Sequence, residues 1–232
     1  MSSDLQSDVR SSEPEQGGAG GSSGGEAAPA PNLEPGLAAL VGTRGATLLD
    51  GLERHLPGSR DHADGTASYA FAAAVELGLE RGHAEAVRET ARLHEVGKVY
   101  VPAAVLAKLP EELTPEESAQ VESHFAKGAE LARGAGVPDP AAAWIEAAGE
   151  RYDGAGLGGL ARGQVPLESR IVRAACAFDR ALAAGAATSP AERHRAAIQE
   201  LRSAAGSELD PLVVEVLASI VERAAARTGA SG

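Results

Sequence analysis

The sequence predicts an all-α fold, a compact helical bundle that follows a disordered N-terminal tail. Hydrophobic residues make up 44% of the chain and aromatic residues only 3%. Much of the hydrophobic fraction is alanine, the best helix former, whereas β-branched and aromatic residues are scarce. From Gly36 onward apolar residues recur at helical intervals, and no stretch alternates convincingly as a β-strand does. A length of 232 residues suits one sizeable domain and a tail.

The beginning of the chain differs in composition from the rest. Residues 1–35 are mainly Ser, Gly, Glu, Pro and Ala, with almost nothing apolar. Such a segment cannot bury enough surface to offset its chain entropy. We therefore expect residues 1–35 to be a disordered, mildly acidic tail.

Start and stop signals divide residues 36–228 into the helices of one predicted domain. Asp61 can cap the second helix, which carries His62 in its first turn. Thr114 is a strong helix start, because threonine caps, the following proline suits the first helical position and Glu117 completes a capping box. The predicted helices run from Leu37 to Leu56, Asp61 to Gly78, Gly82 to Glu95, Thr114 to Arg133, Asp139 to Ala148, Leu167 to Ala184, Pro190 to Ala205 and Pro211 to Arg227, with a glycine-rich loop from Glu150 to Pro166.

Composition also excludes several classes of partner. The formal net charge of −12 argues against a basic nucleic-acid-binding surface and against docking to anionic lipid. No apolar run is long enough to span a membrane. The single cysteine, Cys176, rules out an internal disulfide and suits a reducing compartment. We expect a cytoplasmic protein with no nucleic-acid or membrane partner.

The segment ARLHEVGKVYVP carries the strongest chemical signal in the chain. His94 and Glu95 end a predicted helix and are followed at once by a glycine turn and Lys98. Two further histidines, His62 and His124, fall where a helical bundle could bring them to the same place. Imidazole nitrogens and carboxylate oxygens are usual ligands of zinc, iron and manganese, and a lysine beside them suits phosphate chemistry.

The order and context of these residues closely resemble the HD-GYP family, a branch of the HD metal-dependent phosphohydrolases. The resemblance covers nearly everything outside the tail. The matching segments are His94 to Pro102 for HD-x-GK-x-x-x-P, Leu113 to Glu117 for a Leu-Thr-x-x-Glu helix start, His124 to Gly128 for H-x-x-x-G, and Ser169 to Asp179 for ARI-x-x-x-x-D-x-FD.

The resemblance implies an all-helical fold with two or three metals, often iron or manganese, and hydrolysis of cyclic di-GMP. It implies that His62, His94, Glu95 and His124 are metal ligands and that Lys98 is catalytic, helping to hold phosphate. The residues that it assigns to the substrate loop are Glu150, Asp153, Gly154, Gly156 and Arg170. Lys98 could equally be a solvated turn residue, and Glu150 and Arg170 could pair or cap without touching a ligand.

Departures from the family pattern bear directly on activity. The aspartate of the HD pair is Glu95, whose carboxylate lies one methylene further out. The paired histidines before the substrate loop are Ala148 and Gly149, which have no donor side chain, and Gly156-Leu157-Gly158 replaces the GYP triplet. The late metal-binding aspartate is Cys176, which is either a thiolate ligand that would favour zinc or, in the interpretation we favour, a small buried hydrophobe.

These departures predict a degenerate HD-GYP domain with weak or no catalysis, kept as a regulatory or interaction module in bacterial signalling. The alternative is a divergent phosphohydrolase that works on a cyclic dinucleotide or another phosphoester from a single metal site. A third hypothesis is a sensor that binds cyclic di-GMP or another nucleotide. The expected cofactor is one divalent ion (Fe, Mn or Zn) or none. A protein partner is expected, and the resemblance allows a homodimer, although no interface stands out in the sequence.

Overall fold

The protein is described by a computed structural model that covers residues 36–185 and 189–229. These residues form α-helices joined by turns, loops and short 3₁₀ segments, without an extended strand among them, which confirms the predicted all-α fold. The predicted tail, residues 1–35, lies outside the described residues. The helices are α1 (Leu37–His55), α2 (Ser59–Glu76), α3 (Arg81–Leu93), α4 (Ala103–Leu106), α5 (Pro115–Glu122), α6 (His124–Gly134), α7 (Asp139–Ala147), α8 (Leu167–Ala184), α9 (Pro190–Ala204) and α10 (Pro211–Gly229); the 3₁₀ segments are Val96–Tyr100, Pro110–Glu112 and Arg162–Gln164.

The core consists of two buried clusters that share helices α2 and α3. One cluster joins α2 and α3 to α8, α9 and α10 and has Phe178 at its centre, fully buried and edge-on to Tyr69. The other joins them to α1, α6 and α7 and includes Trp144, the sole tryptophan of the chain, which is buried. Because α3 belongs to both clusters, the residues that follow it are held from two sides.

The start of α2 differs from its prediction. The expected cap at Asp61 is wrong, because α2 begins before that residue and Asp61 lies in its first turn. The carboxylate of Glu53 takes the role of the cap and accepts hydrogen bonds from the backbone N–H of Gly58 at 3.0 Å and of Arg60 at 2.9 Å. A carboxylate at this end also complements the helix dipole. The end of α1 thus fixes the turn of α2 that carries His62.

The single helix predicted from Thr114 to Arg133 is two helices, α5 and α6. They separate at Ser123, whose hydroxyl donates to the carbonyl of Gln120 at 2.7 Å, while Nδ1 of His124 donates to the carbonyl of Val121 at 2.5 Å. These carbonyls would otherwise accept backbone N–H groups four residues further on. The side chains therefore replace two helical hydrogen bonds, and His124 stands at the first position of α6.

A close backbone contact at Gly97 and Gly128 sets the distance between the 3₁₀ segment Val96–Tyr100 and α6. A Cβ atom at Gly97 would lie 1.9 Å from the carbonyl oxygen of His124 and 2.5 Å from the backbone nitrogen of Gly128. Only glycine permits this approach. The 3₁₀ segment Val96–Tyr100 can therefore cross α6 closely, which brings the residues after α3 next to His124.

The structure also bears on membrane association. Of the helices within 36–185 and 189–229, none combines the length and the apolar character that crossing a bilayer requires.

Candidate functional site

A cavity of about 760 Å³ opens where the segment after α3 faces α6, α8 and the loop that follows α7. His94, Lys98 and His124 line it from one side, and Cys176 lines it from α8. The wall holds five cations and four acidic residues (Glu122, Glu146, Glu150 and Glu208), whereas the chain as a whole carries a net charge of −12. The cations that line the cavity are Lys98, Lys108, Arg151, Arg173 and Arg180.

His62 and His94 both present Nε2 toward a possible ligand, because Nδ1 of each ring is engaged. Nδ1 of His62 lies 2.7 Å from Oδ2 of Asp179, and Nδ1 of His94 donates to the carbonyl of Ala91 at 2.6 Å. A ring whose Nδ1 is engaged in this way suits metal binding through Nε2. Nε2 of His94 is buried and has no hydrogen-bond partner among residues 36–185 and 189–229.

The structure brings three of the four predicted metal ligands together and adds a fourth donor, Cys176. Ligand atoms of His62, His94, Glu95 and Cys176 all lie within 4.8 Å of one another. Nε2 of each histidine is 3.8 Å from Oε1 of Glu95, and Sγ of Cys176 is 3.6 Å from Nε2 of His62. We call these four residues the donor set.

His124, the remaining predicted ligand, lines the same cavity but lies outside the donor set. Its ring is 3.9 Å from that of Phe125, and its Nε2 is buried without a partner. Burial lowers the pKa of His124 to about 4, an effect that the charge of Glu95 only partly offsets. The imidazole is therefore neutral at physiological pH, and its Nε2 has no hydrogen-bond partner among the described residues.

Two cations bind the carboxylate of the donor set. Oε1 of Glu95 accepts from Nζ of Lys98 at 2.5 Å and from the guanidinium of Arg180. Burial raises the pKa of Glu95, but the charges of Arg180 and Lys98 outweigh it and hold that pKa well below its usual range. Lys98, the predicted catalytic residue, is 9% exposed, and its ammonium group forms an ion pair with this carboxylate.

The sulfur and the first histidine form a pair of opposite charge. Burial lowers the pKa of His62, but its hydrogen bonds to Asp179 and Cys176 and the charge of Glu95 raise it to about 9. Burial likewise raises the pKa of Cys176, yet the neighbouring His94 and His62 lower it to about 5. Without an ion, a thiolate and an imidazolium stand side by side at neutral pH.

The positions where the resemblance expects paired histidines are closed by packing. A Cβ atom at Gly149 would lie 2.7 Å from Cδ2 and 3.1 Å from Cβ of Phe125. Ala148 is buried at 1% exposure. The carbonyl groups of Ala148 and Gly149 both accept from Nη1 of Arg173, at 3.2 Å each. No donor side chain is present here, and the ring of Phe125 fills the space that one would need.

The predicted substrate loop folds around the carboxylate of Glu150. Oε1 of Glu150 accepts from the backbone N–H of Gly158 at 2.7 Å, and Oε2 is buried without a partner. Cβ atoms at Gly156 and Gly158 would lie 2.6 Å and 2.2 Å from the oxygens of Glu150. Both glycines are thus required by close approach, and Glu150 organises the loop from inside.

Of the other predicted loop residues, Asp153 and Gly154 lie in a turn, and Arg170 lies just after the loop, in α8. Asp153 accepts from Arg151 at 2.8 Å and 3.1 Å, and mainly for this reason the pKa of Asp153 falls to about 2. Gly154 has φ of 85°, which favours glycine. Arg170 binds Asp210 and the carbonyl of Val165 and is not among the residues that line the cavity, so it pins the end of the loop.

Three residues of α8 contribute to the site without having been predicted to do so. Asp179 holds His62, Arg180 holds Glu95 and Arg173 binds the carbonyls before the loop. The spacing of Arg173, Cys176 and Arg180 at i, i+3 and i+7 is a signal that they share one helix face. A Cβ at Gly65 would lie 2.1 Å from Oδ1 of Asp179, so α2 and α8 approach closely at this point.

The residues present fit one metal ion and do not fit a bridged pair. The donor set offers two imidazole nitrogens, a carboxylate and a sulfur in a compact group, and Nε2 of His94 lacks any other partner. A second ion would need donors at Ala148 and Gly149, whose side chains have no donor atoms.

Known proteins that are similar to this chain support one family. A family model described as an HD domain matches residues 47–213. The cyclic di-GMP phosphodiesterase response regulator RpfG of Xanthomonas campestris is 35% identical over 147 residues, which are 62% of this chain and 38% of that protein. A cyclic di-GMP phosphodiesterase of Vibrio cholerae is 32% identical over 153 residues, 62% of this chain and 31% of the relative. The chain thus spans about a third of the length of these curated relatives.

Solved structures support the same fold. The HD domain of the L. monocytogenes phosphodiesterase PgpH, in complex with cyclic-di-AMP, has a TM-score of 0.55 at 19% identity over 75% of this chain and 93% of its own. Bd1817, an HDG"Y"P protein of Bdellovibrio bacteriovorus, has a TM-score of 0.60 at 18% identity over 80% of this chain and 61% of its own. At this level of identity the likeness concerns the fold alone.

Proposed function

The chain belongs to the HD domain family with a domain of the HD-GYP type, and we propose that it is a degenerate member with weak or no catalysis. It acts as a regulatory or interaction module in bacterial signalling, in the cytoplasm, through a protein partner or a second copy of itself. The module comprises residues 36–228 and carries residues 1–35 as a tail. No nucleic-acid polymer or membrane is a partner.

The observation that carries this proposal is the closure of the second half of the metal centre. Phe125 packs where a side chain at Gly149 would have to stand, and Ala148 has no donor atom. A mechanism with two metals needs both ions, because they generate the nucleophile and balance the charge on the attacked phosphate. Lys98 and Arg180 supply two positive charges at Glu95 in place of the second ion.

A single divalent ion, iron, manganese or zinc, fits the remaining half of the site. His62, His94 and Glu95 would hold it, and His124 faces the same cavity. Such an ion would polarise a phosphoester and lower the pKa of a bound water. The chain's own residues orient the donors: Asp179 and the carbonyl of Ala91 hold the two imidazoles, and Lys98 fixes the carboxylate.

Turnover of cyclic di-GMP by the purified full chain tests the proposal. With Mn²⁺ or Fe²⁺ added, we expect no hydrolysis above the rate of a His94→Ala variant prepared in parallel. A curated phosphodiesterase relative assayed alongside shows that substrate and metal are competent. Robust hydrolysis by the wild-type chain that disappears in His94→Ala would overturn the proposal.

The cavity wall supports a cyclic dinucleotide, or another nucleotide, as a regulatory ligand of modest affinity. Its volume of about 760 Å³ lies in the range of small-molecule sites. Its cations suit phosphate, but Lys98 and Arg180 pair with Glu95, and Arg151 pairs with Asp153 and Glu208. A phosphate would have to share these cations, which weakens its binding.

Calorimetry with cyclic di-GMP, in the presence and absence of metal, measures this affinity. We expect weak binding that decreases in Arg180→Met, because that substitution removes a cavity cation and keeps much of the side-chain bulk. No heat at high micromolar ligand would exclude the nucleotide and leave a protein-interaction role.

An enzyme with a single metal is the second candidate. The observation that favours it is the pair of buried nitrogens, Nε2 of His94 and Nε2 of His124, that lack partners at the cavity. Such an enzyme would hydrolyse a cyclic dinucleotide or another phosphoester. A screen of phosphoesters on protein purified without chelators tests it, with metal analysis of wild type and His62→Ala in parallel. Substoichiometric metal that His62→Ala leaves unchanged would exclude this candidate.

A further inference from the structure

Helix α8 adds a sulfur atom to the metal centre. Cys176 is 7% exposed and stands where the resemblance expects a metal-binding aspartate. Its Sγ lies 3.6 Å from Nε2 of His62, and it is a member of the donor set. The substitution has therefore changed the type of donor atom at this position while keeping a donor there.

The spacing of the donor set matches a tetrahedral ion. Bonds of about 2.0–2.1 Å to nitrogen or oxygen and about 2.3 Å to sulfur place the ligands of a zinc ion about 3.3–3.6 Å apart. The distance from His62 to Cys176 is 3.6 Å, and each histidine nitrogen is 3.8 Å from Glu95. All four ligand atoms lie within 4.8 Å of one another, so side-chain shifts of about 1 Å complete the tetrahedron.

An independent feature points to an ion at the same place. Nε2 of His94 is buried, the residue is 1% exposed, and no hydrogen-bond partner is present among the described residues. A buried polar nitrogen without a partner costs stability. Because Nδ1 of His94 already donates to Ala91, the nitrogen at the cavity carries the lone pair. An ion at the centre of the donor set would satisfy it.

We propose that His62, His94, Glu95 and Cys176 form a closed four-ligand site for one dication of the zinc class, with the Cys176 thiolate as a ligand. This inference rests on the proposed function and deepens it. Catalytic zinc sites keep one position for water, whereas structural sites take all four ligands from the protein. With four protein ligands around a tetrahedral ion, no position is left for a reactive water, and the ion holds α2, α3 and α8 together.

Ligand chemistry also sets the metal preference. Thiolate donors favour zinc and its spectroscopic substitute cobalt over manganese or magnesium, which favour oxygen. The carboxylate and the thiolate together balance the charge of one dication, while Lys98 and Arg180 stay on Glu95 from outside. The site is thus expected to reject the oxygen-seeking ions that the resemblance implies.

Cobalt spectroscopy of the full chain tests the proposal without an activity assay. After chelator treatment, Co²⁺ should give a single equivalent of binding, the intense visible bands of a tetrahedral ion and a near-ultraviolet thiolate-to-cobalt charge-transfer band. Since Cys176 is the only cysteine in the chain, that band can have no other source. Zn²⁺ should displace Co²⁺, and an excess of Mn²⁺ should not.

Variants identify the ligands. Cys176→Ser should remove the charge-transfer band and weaken Co²⁺ binding at least about tenfold, the lower limit for losing even an outer contact of a metal site. Cys176→Asp should also remove the band but retain binding and accept Mn²⁺. His194→Ala is the matched control and should leave every signal unchanged, because His194 hydrogen-bonds to the carbonyl of Pro190, lies near the ring of Phe178 and is not a member of the donor set. Circular dichroism verifies that each variant is folded.

Two results would overturn the inference. The first is folded wild-type protein that binds no Co²⁺, and the second is a bound Co²⁺ without the charge-transfer band or with a band that Cys176→Ser retains. Neither of these two results would contradict the proposed regulatory role. Conversely, rapid cyclic di-GMP hydrolysis would overturn the proposed function whatever the cobalt spectrum shows.

Discussion

At the scale of single residues, the orientation of His62 depends on one carboxylate of α8. Asp179 lies 2.7 Å from Nδ1 of His62, and Gly65 lets it approach α2 closely. Hydrogen bonds of this kind fix the tautomer and ring position of a metal ligand. Asp179 is therefore a positioning residue, and its effect should appear in metal affinity.

We predict that Asp179→Asn weakens Co²⁺ binding about 10–100-fold, the usual effect of losing such an outer contact. The charge-transfer band should persist at saturating Co²⁺, because Cys176 is unchanged. Titration of the metal at constant pH measures the effect, and Asp139→Asn, at an exposed acid far from the cavity, is the control. Equal affinities for Asp179→Asn and wild type would contradict the role given to Asp179.

The space at position 149 yields a second prediction. Gly149→Ala should lower the free energy of unfolding by about 1–3 kcal/mol, because the new Cβ meets the ring and Cβ of Phe125. Gly51→Ala is the matched control, because Gly51 lies within α1 and a Cβ atom there would meet no atom of the described residues within 4 Å beyond its chain neighbours and the backbone of its own helix. This change should stabilise the protein by about 0.5–1 kcal/mol. Urea unfolding measures both.

A double variant separates this clash from other effects. In a Phe125→Ala background most of the added cost of Gly149→Ala should disappear, since the ring atoms that lie nearest are gone and only Cβ of residue 125, at 3.1 Å, remains. A cost of the same size in both backgrounds would mean that something other than Phe125 opposes a side chain at position 149.

Sequence patterns could predict which residues gather at the site, but only in part which atoms meet. His62, His94 and Glu95 were predicted as ligands, and the structure places them together. Whether His124 or Cys176 joins them depends on how closely α8 packs on α2, and that distance follows from contacts far apart in the chain. For the same reason the contact of Arg180 with Glu95 and that of Phe125 with Gly149 could not be predicted from sequence patterns.

At the scale of elements, local signals were reliable where a few adjacent residues decide the outcome. Thr114 and Glu117 form the predicted capping box, and Asp210 caps α10 by accepting from the N–H of Leu212. The start of α2 and the break at Ser123 were missed. The first depends on a carboxylate from α1, and the second on side chains that compete with the helix for carbonyls.

The loop after α7 offers a prediction for an element. Glu150→Ala should loosen residues 151–158, because it removes the acceptor for the N–H of Gly158 and leaves a gap that Gly156 and Gly158 pack against. Limited proteolysis should then cut this loop faster. Glu150→Gln keeps an oxygen acceptor and should remain closer to wild type, so equal cleavage of the wild type and the alanine variant would contradict the organising role.

At the scale of the whole molecule, the donor set joins three helices that are separate in the chain. His62 lies on α2, His94 and Glu95 follow α3, and Cys176 lies on α8. An ion bound there would stabilise the native state alone, since the unfolded chain does not hold these donors together. The same packing makes metal binding a property of the complete fold.

We therefore predict that Zn²⁺ at 100 times its Kd stabilises the wild-type chain by about 2.7 kcal/mol and raises Tm by about 5–11 °C. The reason is linkage, because the ion binds the folded state preferentially. Calorimetric scans with Zn²⁺ and with chelator measure the shift, and Cys176→Ser should show a much smaller one. A Tm that is the same with Zn²⁺ and with chelator would contradict the prediction.

The whole molecule carries a net charge of −12, whereas cations and acids are nearly balanced in the cavity wall, where four glutamates accompany the cations. The structure places five cations in the cavity wall, from Lys98 near α3 to Arg180 on α8. Composition could not predict this segregation, because it arises from which helix faces turn inward.

The ring of Phe125 over Gly149 also limits how a donor side chain could be introduced at position 149. A histidine placed there while Phe125 is still present would lower the stability of the protein before any ion is bound. A change at position 125 alone would first open a hole in the packing. Neither single mutation is neutral, so the two positions are coupled and a donor at position 149 requires both changes together.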